Sequence, residues 1–297
     1  MKMESADLTK TYGFVVLHYM AYEMTVECVS TLLNKFDEYN IKIAVVDNSS
    51  PNGSGKRLQD KYCTEKKVDV LLNEENEGFA RGNNLGYRFL VKNYNPDYII
   101  VINNDVLIEQ QDFLNLIDSV YRKNRFAVLG PDIFCPLSNT HQNPAHLKGF
   151  SLDDVNEINN RIGNFCKYPW FYYYKNKLVC FIKSKLRIRK RNTNNIDRTK
   201  TMENVVLHGA CYIFSKDFIK VRENCFNPDT FLYMEEDILH YECSKAGLKM
   251  TYSPDLKINH FEDVSTNMVK KLGYQKFKWK NNEMKKSISI LMKLMNK

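Results

Sequence analysis

Two groups of polar residues in this sequence could do chemistry, and each follows an apolar run. Asn103-Asn104-Asp105 comes directly after the run 98–102, and Glu235-Glu236-Asp237 comes after the run 231–234. Asp105 offers the hard oxygen ligand that Mg²⁺ or Mn²⁺ prefers, usually shared with substrate phosphates. Three adjacent carboxyls raise one another's pKa, which suits a group that must accept a proton. Both groups also have a purely structural interpretation, as a strand-ending turn and as acids favoured at a helix N-terminus.

Two further polar segments stand next to predicted strands. The buried strand 43–46 ends in Asp47 and Asn48, and the Gly- and Asn-rich segment 76–84 opens a helix. Backbone N–H groups at that helix start, together with Arg81, make an anion site suited to a diphosphate. The glycines match neither the P-loop pattern nor G-x-G-x-x-G, so the sequence supports neither an ordinary kinase nor a Rossmann dehydrogenase.

Two histidines lie where a ligand could reach them. His208-Gly209 falls within a predicted strand at a point open to close backbone approach, and His260 ends the last predicted strand. A lone histidine is more often structural, but one at a strand end near carboxylates can bind a metal or a phosphate.

The order of the predicted elements indicates the fold class. Apolar, β-branched runs alternate with segments of helical period, which predicts an α/β sheet of mainly parallel strands. The predicted strands are residues 14–19, 43–46, 68–72, 98–102, 127–131, 205–214, 250–252 and 256–260. The predicted helices are residues 21–36, 79–90, 112–122 and 238–246, followed by an amphipathic tail helix with Met284, Ile288, Leu291 and Met295 on one face. Right-handed crossovers bring the polar loops after the second, third and fourth strands to one edge, which is the candidate pocket.

Length and composition limit the class of protein. The chain has 297 residues, of which 43% are hydrophobic and 26% charged, and this indicates a globular protein of one or two domains. Eight cysteines without a C-x-x-C pair favour free thiols in a reducing compartment over a zinc site. The N-terminus lacks the apolar core of a signal peptide, and no run of about 18 apolar residues predicts a transmembrane helix. The net charge of +8 allows a nucleic acid, an anionic membrane or an anionic substrate as partner.

Residues 135–200 interrupt the alternation of strands and helices and contain an aromatic and basic segment. Five consecutive aromatics at 170–174 precede six bases within 183–191, and no acid occurs within 169–196. This order is typical of an interfacial segment that seeks anionic lipid. An RNA-binding arm and a solvated loop over a partly buried aromatic patch are the alternatives. The tail 270–297 is also basic, with nine lysines and one glutamate, and either packs on the domain or lies on a membrane.

Five segments in a fixed order carry a resemblance to one enzyme family. They are Val45-Val-Asp-Asn-Ser-Ser50, Asn76-Glu-Gly-Phe-Ala-Arg-Gly-Asn-Asn84, Ile102-Asn-Asn-Asp105, His208-Gly-Ala210 and Phe231-Leu-Tyr-Met-Glu-Glu-Asp237. The series resembles the family 2 glycosyltransferases, with the greatest similarity to the bacterial rhamnosyltransferase-like, non-processive branch. The resemblance covers about residues 13 to 262. It implies a GT-A-type, Rossmann-like fold for transfer from nucleotide-diphospho-sugars, with a mixed, mainly parallel central sheet flanked by helices.

The resemblance implies ligand-binding roles on the nucleotide side. Asp47 would bind the nucleobase next to Asn48, and the residues around the nucleotide and its diphosphate would be Asn76, Gly78, Arg81, Asn84 and Asn104. The segment 103–105 matches the family's D-x-D element with Asn in place of the first Asp. Asp105 and His260 would then hold Mn²⁺ or Mg²⁺ against the diphosphate.

The resemblance also implies roles on the acceptor side. Glu236 falls where the family has its catalytic base, and Asp237 competes for that role because the register is ambiguous by one residue. His208 would bind ligand and line the acceptor side. The sequence lacks the Q-x-x-R-W pattern of processive synthases, which implies addition of one sugar and not of a polymer.

The implied function is that of an inverting glycosyltransferase in bacterial capsule or O-antigen biosynthesis. It would move one sugar from dTDP-rhamnose or a UDP-sugar to a lipid-linked saccharide, at an anionic surface on the inner face of the cell membrane. We expect a cytoplasmic, peripherally bound protein that binds no nucleic acid. The alternatives are a nucleic-acid-binding α/β protein that uses the basic arm, and a nucleotidyltransferase.

Four regions follow from these interpretations. We expect a nucleotide-sugar-binding half at 1–134, an insertion facing membrane or acceptor at 135–204, an acceptor and catalytic half at 205–265, and a basic amphipathic tail at 266–297.

Overall fold

A computed structural model describes residues 9–185, 196–261 and 273–297. Within these ranges the strands are β1 Thr11–His18, β2 Asn40–Asp47, β3 Val68–Leu72, β4 Tyr98–Asn103, β5 Val106–Leu107, β6 Val128–Cys135, β7 Thr140–His141, β8 Met202–Glu203, β9 Cys211–Ser215 and β10 Met250–His260. The helices are α1 Tyr22–Lys35, α2 Ser54–Tyr62, α3 Gly78–Tyr94, α4 Phe113–Asn124, α5 Leu152–Lys167, α6 Pro169–Lys185, α7 Lys216–Ile219, α8 Glu235–Lys245 and α9 Gly273–Met295. In the described part of the chain, no helix is both long enough and apolar enough to cross a membrane.

One sheet organises the molecule, in the order β3-β2-β1-β4-β9-β6-β10-β5, with β7 beside β6 and β8 beside β10. The pairs β3-β2, β2-β1, β1-β4 and β6-β10 are parallel, whereas β9 runs antiparallel to both of its neighbours. The prediction of a mixed, mainly parallel sheet flanked by helices is therefore confirmed. The long strand β10 includes Pro254, and its register with β6 shifts between Ser253 and Lys257. Because proline cannot donate a ladder hydrogen bond, this bulge replaces the break that the sequence predicts between two short strands.

Helices cover both faces of the sheet. Leu32 of α1, Leu58 of α2 and Ile117 of α4 are buried in the core on one face. The core on the other face contains Tyr87 of α3, Phe218 of α7 and Leu239 of α8. Strands β1, β2 and β4 are buried along most of their length, as continuous β-branched runs predict for parallel strands covered on both faces.

A third, smaller core joins the insertion and the tail to the domain. Val155 and Ile162 of α5 pack with Ile238 of α8 and with Ile288 and Leu291 of α9, and all five are buried. The tail helix therefore packs on the protein through the face that its periodicity defines.

Several elements differ from the sequence-based expectations. Helix α2 is hydrophilic, with lysine, arginine, glutamine and aspartate among its nine residues, so the hydrophobic pattern does not reveal it. Helices α5 and α6 lie where we predict no regular structure. The strand predicted over 205–214 is shorter and begins only at Cys211, and residues 208–209 before it remain outside the ladder. The N–H groups of 208–209 bond instead to side chains, that of His208 to Asn143 and that of Gly209 to Glu236.

Candidate active site

The carboxyl ends of β1, β2 and β4 meet at one edge of the sheet. His18 pairs with Asp47, and Leu17 pairs with Asn103, so the three strands end in step. The polar loops after them consequently lie side by side, as predicted, and ligands bind at such edges in open α/β sheets.

Asp47 at the end of β2 is bonded within its own loop. The side chain is 5% exposed, and its carboxylate accepts hydrogen bonds from the Ser50 hydroxyl at 2.5 Å and the Ser50 backbone N–H at 3.2 Å. The His18 Nε2 atom lies 3.8 Å from Asp47 Oδ1, and burial lowers the pKa of His18 to about 4. At neutral pH His18 is therefore uncharged, and its ring bonds to Thr25 and Ser54 fix this corner of the site.

Asn48 fastens the loop that precedes α3. Its Nδ2 donates to Asn76 Oδ1 and to the Gly78 carbonyl, and its Oδ1 accepts from Asn73 Nδ2 and from the Glu77 backbone N–H. The Asn76 oxygen also accepts from the Gly78 N–H at 3.0 Å. Asn48 and Asn76 thus shape the loop through their side chains.

Gly78 is the point where this loop meets the segment that leads to the acidic cluster. Its φ is +81°, and a Cβ built there would lie 2.2 Å from the Phe231 carbonyl oxygen. The Phe79 N–H donates to that same oxygen at 2.7 Å. A glycine is required here for both reasons, since the backbones of the two loops touch.

Arg81 and Asn84, one turn apart on α3, have different surroundings. The Arg81 side chain is 53% exposed, donates from Nε to the Pro228 carbonyl, and places NH1 3.9 Å from Glu77 Oε1. Asn84 is fully buried, donates to the Phe226 carbonyl and accepts from the Phe226 N–H, both at 2.9 Å. Asn84 therefore holds segment 225–226 in place through its buried amide, whereas the Arg81 guanidinium remains largely exposed to solvent.

Asp105 and His260 form the pair that could hold a metal. Asp105 Oδ1 is buried without a hydrogen-bond partner and lies 3.3 Å from His260 Nε2. The other ring nitrogen of His260 is bonded to Gln142 Oε1 at 2.8 Å, which as an acceptor requires the proton on Nδ1. In the neutral ring a lone pair on Nε2 then faces a carboxylate lone pair, an arrangement that a cation between them stabilises. Among the described residues, no group of three or more His, Cys, Asp or Glu could hold a metal ion by itself.

Asn104 and His208 are neighbours of Asp105 and His260, respectively. Asn104 is 4% exposed and donates to Thr25 Oγ1 at 2.9 Å. The His208 ring centroid lies 5.8 Å from that of His260, and its Nδ1 accepts from the Ala210 N–H. Burial, helped by the neighbouring His260, lowers the pKa of His208 to about 4, so this ring is neutral at pH 7.

A left-handed turn presents the acidic cluster at the start of α8. Tyr233 and Met234 both have positive φ, 76° and 67°, which is strained for residues with side chains. The turn directs the next three side chains differently. Glu235 is 6% exposed and turns back to bond with Thr230, while Asp237 is 9% exposed and its Oδ1 has no partner.

Glu236 is the most accessible of the three acids and faces Gly209. The Gly209 N–H donates to its carboxylate, and a Cβ on Gly209 would lie 2.8 Å from Oε1. The absence of a side chain at 209 is therefore what lets the carboxylate approach the backbone.

Burial makes all three carboxyls weaker acids than usual. It raises the pKa of Glu235 to about 8 and that of Asp237 to about 7, in both cases with a further contribution from the Glu236 charge. Burial also raises the pKa of Glu236, against the opposing hydrogen bond from Gly209. Desolvation is thus the larger cause, and repulsion among the three acids is the smaller one.

A cavity of about 430 Å³ lies in front of these acids. Its wall includes Asn103 at the end of β4, His208-Gly209-Ala210, the three acids and Tyr233. Further lining comes from Phe79, from His146, Phe150, Ile158 and Arg161 in the insertion, from Leu232 and Met234, and from Met284 of α9. Asn103 at the end of β4 and the acidic cluster therefore line the same cavity.

The family model described as Glycosyl transferase family 2 matches residues 14–221 of this chain. The chain belongs to glycosyltransferase family 2. The match includes the segments around Asp47, Asn76, Asp105 and His208, and it ends before α8.

Two curated relatives resemble parts of this family 2 chain. The low-salt glycan biosynthesis hexosyltransferase Agl10 of Haloferax volcanii is 27% identical over 92 residues, which are 31% of this chain and 28% of that protein. Glycosyltransferase GlyG of Streptococcus pneumoniae is 26% identical over 123 residues, which are 41% of this chain and 39% of that protein. The aligned segments thus span well under half of either relative.

Solved structures of similar shape show the GT-A fold. GalNAc-T7, crystallised with UDP, GalNAc and Mn²⁺, superimposes with a TM-score of 0.54 and 14% identity over 85% of this chain and 44% of that chain. Mannosyltransferase PcManGT from Pyrobaculum calidifontis, in complex with GDP-Man and Mn²⁺, gives a TM-score of 0.53 and 11% identity over 88% and 61%. The predicted fold class is confirmed.

Sequence reasoning misses the cavity residues that come from outside the motifs. Five of them lie outside the segments that carry the family resemblance: His146, Phe150, Ile158 and Arg161 in the insertion, and Met284 in the tail. Two local signals could have located α5: the capping pair Ser151 and Asp154, and the apolar residues Val155, Ile158 and Ile162 at helical spacing.

Proposed function

We propose that this family 2 protein is an inverting, non-processive glycosyltransferase that moves one sugar from a nucleotide-diphosphate sugar to an acceptor hydroxyl. The observation that carries the proposal is the position of Glu236. It lies half-buried on the cavity wall, bonded to the Gly209 N–H, in the same cavity that Asn103 lines from the strand-end side.

The donor would lie along the loops at the ends of β2 and β4. The rigid Asp47 loop would take the nucleobase, and the Asn48-Asn76 framework would place the backbone of Gly78 and the Arg81 guanidinium near the diphosphate. An exposed guanidinium suits this task, because it can form bidentate hydrogen bonds to phosphate oxygens. Either dTDP-rhamnose or a UDP-sugar fits this proposal.

Asp105 and His260 would hold Mn²⁺ or Mg²⁺, with Asn104 beside them. A divalent ion supplies charge neutralisation for the departing diphosphate when it is bound. The unpartnered Asp105 oxygen and the His260 lone pair are the support for this assignment. Two protein ligands are few, so we expect metal affinity to depend on bound nucleotide.

Glu236 would take the proton of the acceptor hydroxyl as its oxygen attacks the anomeric carbon. A raised pKa brings the carboxylate closer to the pH at which it works, and this makes it a better base than an exposed glutamate. One displacement inverts the anomeric configuration, so a single base is enough. Asp237 is the competing base, because it also lines the cavity and has an unpartnered oxygen.

We further propose a lipid-linked saccharide acceptor in bacterial surface polysaccharide assembly, with α6 docked on an anionic membrane from the cytoplasmic side. Six large exposed hydrophobic side chains fall within residues 168–179, namely Tyr168, Trp170, Phe171, Tyr174, Leu178 and Val179. Trp and Tyr prefer the membrane interface, and the adjacent lysines suit anionic headgroups. The end of the aromatic and basic segment, 186–191, lies outside the described residues.

A thermal-shift screen tests the donor assignment. We expect a UDP- or dTDP-sugar with Mn²⁺ to raise the melting temperature of the wild-type protein, because a ligand that binds the folded state stabilises it. Arg81→Gln should reduce that shift, and Arg57→Gln on α2 is the matched control. A chain that binds RNA tightly and ignores nucleotide-sugars would contradict the proposal.

Cosedimentation with vesicles tests the membrane assignment. We expect salt-sensitive binding to vesicles of anionic phospholipid and little binding to zwitterionic vesicles. Trp170→Ser combined with Phe171→Ser should abolish binding, whereas Leu137→Ser, which removes another exposed apolar side chain, should not. Equal sedimentation of the wild-type protein with and without anionic vesicles would exclude docking.

A further inference from the structure

Arg161 is a cation on the cavity wall without a partner among the described residues. The side chain is exposed, lines the same cavity as Glu236, and takes part in no ion pair or hydrogen bond there. Glu157 stands four positions earlier on α5, where glutamate and arginine usually pair along a helix, but no such ion pair forms. The charge is therefore available to a ligand.

The backbone that carries Arg161 is held firmly. Ser151 and Asp154 cap the start of α5 through reciprocal side-chain and backbone hydrogen bonds. Val155 and Ile162 are buried against α8 and α9 in the third core. Ile158, one turn before Arg161, lies on the same cavity wall, so this face of α5 is turned toward the cavity.

The cavity is lined by groups of opposite charge that do not pair. Glu235, Glu236 and Asp237 stand on the wall formed by α8, and none of them forms an ion pair with Arg161. The rest of the lining includes apolar side chains such as Phe150 and Met284 as well as uncharged polar ones. No other lysine or arginine lines the described cavity.

We propose that this cavity binds an acceptor that carries an anionic group, which Arg161 holds while the reacting hydroxyl lies at Glu236. The inference rests on the proposed transferase function and narrows its substrate class. A guanidinium recognises both a carboxylate and a phosphate through paired hydrogen bonds. The anion is thus the carboxylate of an acidic sugar or the phosphate that joins a saccharide to its lipid.

Binding of matched neutral and anionic probes tests this site. Methyl β-D-glucuronide is compared with methyl β-D-glucoside, and farnesyl phosphate with farnesol, by calorimetry. The donor site is first saturated with Mn²⁺ and the nucleoside diphosphate that gives the largest thermal shift, which keeps the probes from the diphosphate site. The variants are Arg161→Gln, Arg161→Lys, and Lys285→Gln as a control that removes one exposed charge from the neighbouring helix α9.

We expect the wild-type protein to prefer one anionic probe over its neutral partner by about tenfold, the effect of one charge-assisted pair. The preference should fall to about twofold or less in Arg161→Gln and persist in Arg161→Lys and Lys285→Gln. Preference for the glucuronide would identify the anion as a sugar carboxylate, and preference for farnesyl phosphate would identify it as the lipid phosphate.

Three results would overturn the proposal. They are no preference in the wild-type protein, an unchanged preference in Arg161→Gln, and a loss of nucleotide affinity in Arg161→Gln, which would place the residue on the donor side. Failure of the wild-type protein to bind any nucleoside diphosphate would instead refute the transferase assignment, so the two failures are distinguishable.

Discussion

The proposed donor side and the proposed acceptor side of the site are built in different ways. The donor side consists of short loops at parallel strand ends, and its amides bond to one another, as Asn48, Asn73 and Asn76 do. The acceptor side consists of three helices that are distant in sequence, α5, α8 and α9. On the acceptor side, buried oxygens of Glu235 and Asp237 are left without partners. Around Asn48 the amides of the proposed donor side thus hold one another, although Asp105 also keeps an unpartnered oxygen, whereas the proposed acceptor side keeps such oxygens on two of its three acids.

The largest expected effect is on the acceptor side, at the base. Glu236→Gln should lower the rate of transfer at saturating donor by roughly 10²–10⁴-fold, the usual contribution of a general base. The melting temperature and the donor affinity should stay near those of the wild-type protein. Transfer is measured with the donor found in the thermal screen and a membrane extract as acceptor source.

Asp237→Asn is the control for that experiment. A near-normal rate in Glu236→Gln together with a severe loss in Asp237→Asn would move the base by one residue. That result would leave the proposed donor side unchanged.

The next effect concerns the metal pair on the donor side. Mn²⁺ should bind weakly to the empty protein and more tightly in the presence of the nucleoside diphosphate, as measured by electron paramagnetic resonance. Asp105→Asn should weaken that ternary complex by about tenfold or more, since even supporting groups around metals change affinity by roughly 10–100-fold.

Asp132→Asn is the matched control, because Asp132 is paired with His141 in the same kind of contact but lies outside the proposed machinery. Tight Mn²⁺ binding by the empty protein at Asp105 would contradict the view that the substrate completes the metal site.

A smaller effect tests whether Asn84 of α3 stabilises the fold or contacts the donor. Asn84→Ala leaves the buried N–H and carbonyl of Phe226 without partners, so the free energy of unfolding should fall by roughly 3 kcal/mol. Donor affinity measured on the folded fraction should change little.

Asn93→Ala, at an exposed position on the same helix, should change the free energy of unfolding by less than about 0.5 kcal/mol. A large loss of donor affinity in Asn84→Ala without loss of stability would indicate that Asn84 contacts the nucleotide, as the family resemblance implies.

The smallest effect is a pH dependence of stability that originates at Glu235. Its pKa in the folded protein is about 8 against an ordinary value of 4.5, so between these pH values the folded state holds a proton that the unfolded chain releases. The stabilising proton is fully present below pH 4.5, and stability falls as pH rises through about 8. Glu235→Gln cannot lose a proton, so its stability relative to the wild-type protein should be greater at pH 8 than at pH 5.

Thermal unfolding from pH 5 to pH 8 measures this difference. Glu157→Gln, which changes an exposed glutamate on α5, should follow the wild-type curve. Parallel curves for Glu235→Gln and the wild-type protein would show that the carboxyl is ionised in the folded state.

The elements of the proposed donor side are easier to predict from the sequence than those of the proposed acceptor side. The strands ending at Asp47 and Asn103 are predicted well, because a continuous β-branched run indicates a buried strand without knowledge of its neighbours. The polar residues directly after them are located at the same time. Helix α2 escapes because it has few apolar residues, and α6 escapes because its aromatic run around residues 170–174 does not show helical period. Helix α5 does carry apolar residues at helical spacing, and the prediction overlooked them.

Roles of individual polar residues are harder to predict than their positions. Asn84 belongs to a Gly- and Asn-rich segment that suits ligand binding, yet its amide is bonded to Cys225 and Phe226, more than a hundred residues away in the chain. Arg161 carries no motif at all, and only the packing of α5 against α8 and α9 brings it to the cavity.

The sequence by itself determined the fold class, the strand ends that carry Asp47 and Asp105, and the cluster that contains Glu236, because these depend on local apolar pattern and on residue type. The tertiary structure alone decided which of these groups share a cavity, which are already satisfied by hydrogen bonds, and which stay unpartnered. Those properties depend on contacts between residues far apart in the chain and on the burial that removes water from the carboxyls. Burial is also the larger cause of their raised pKa values, and no local pattern of residues reports it.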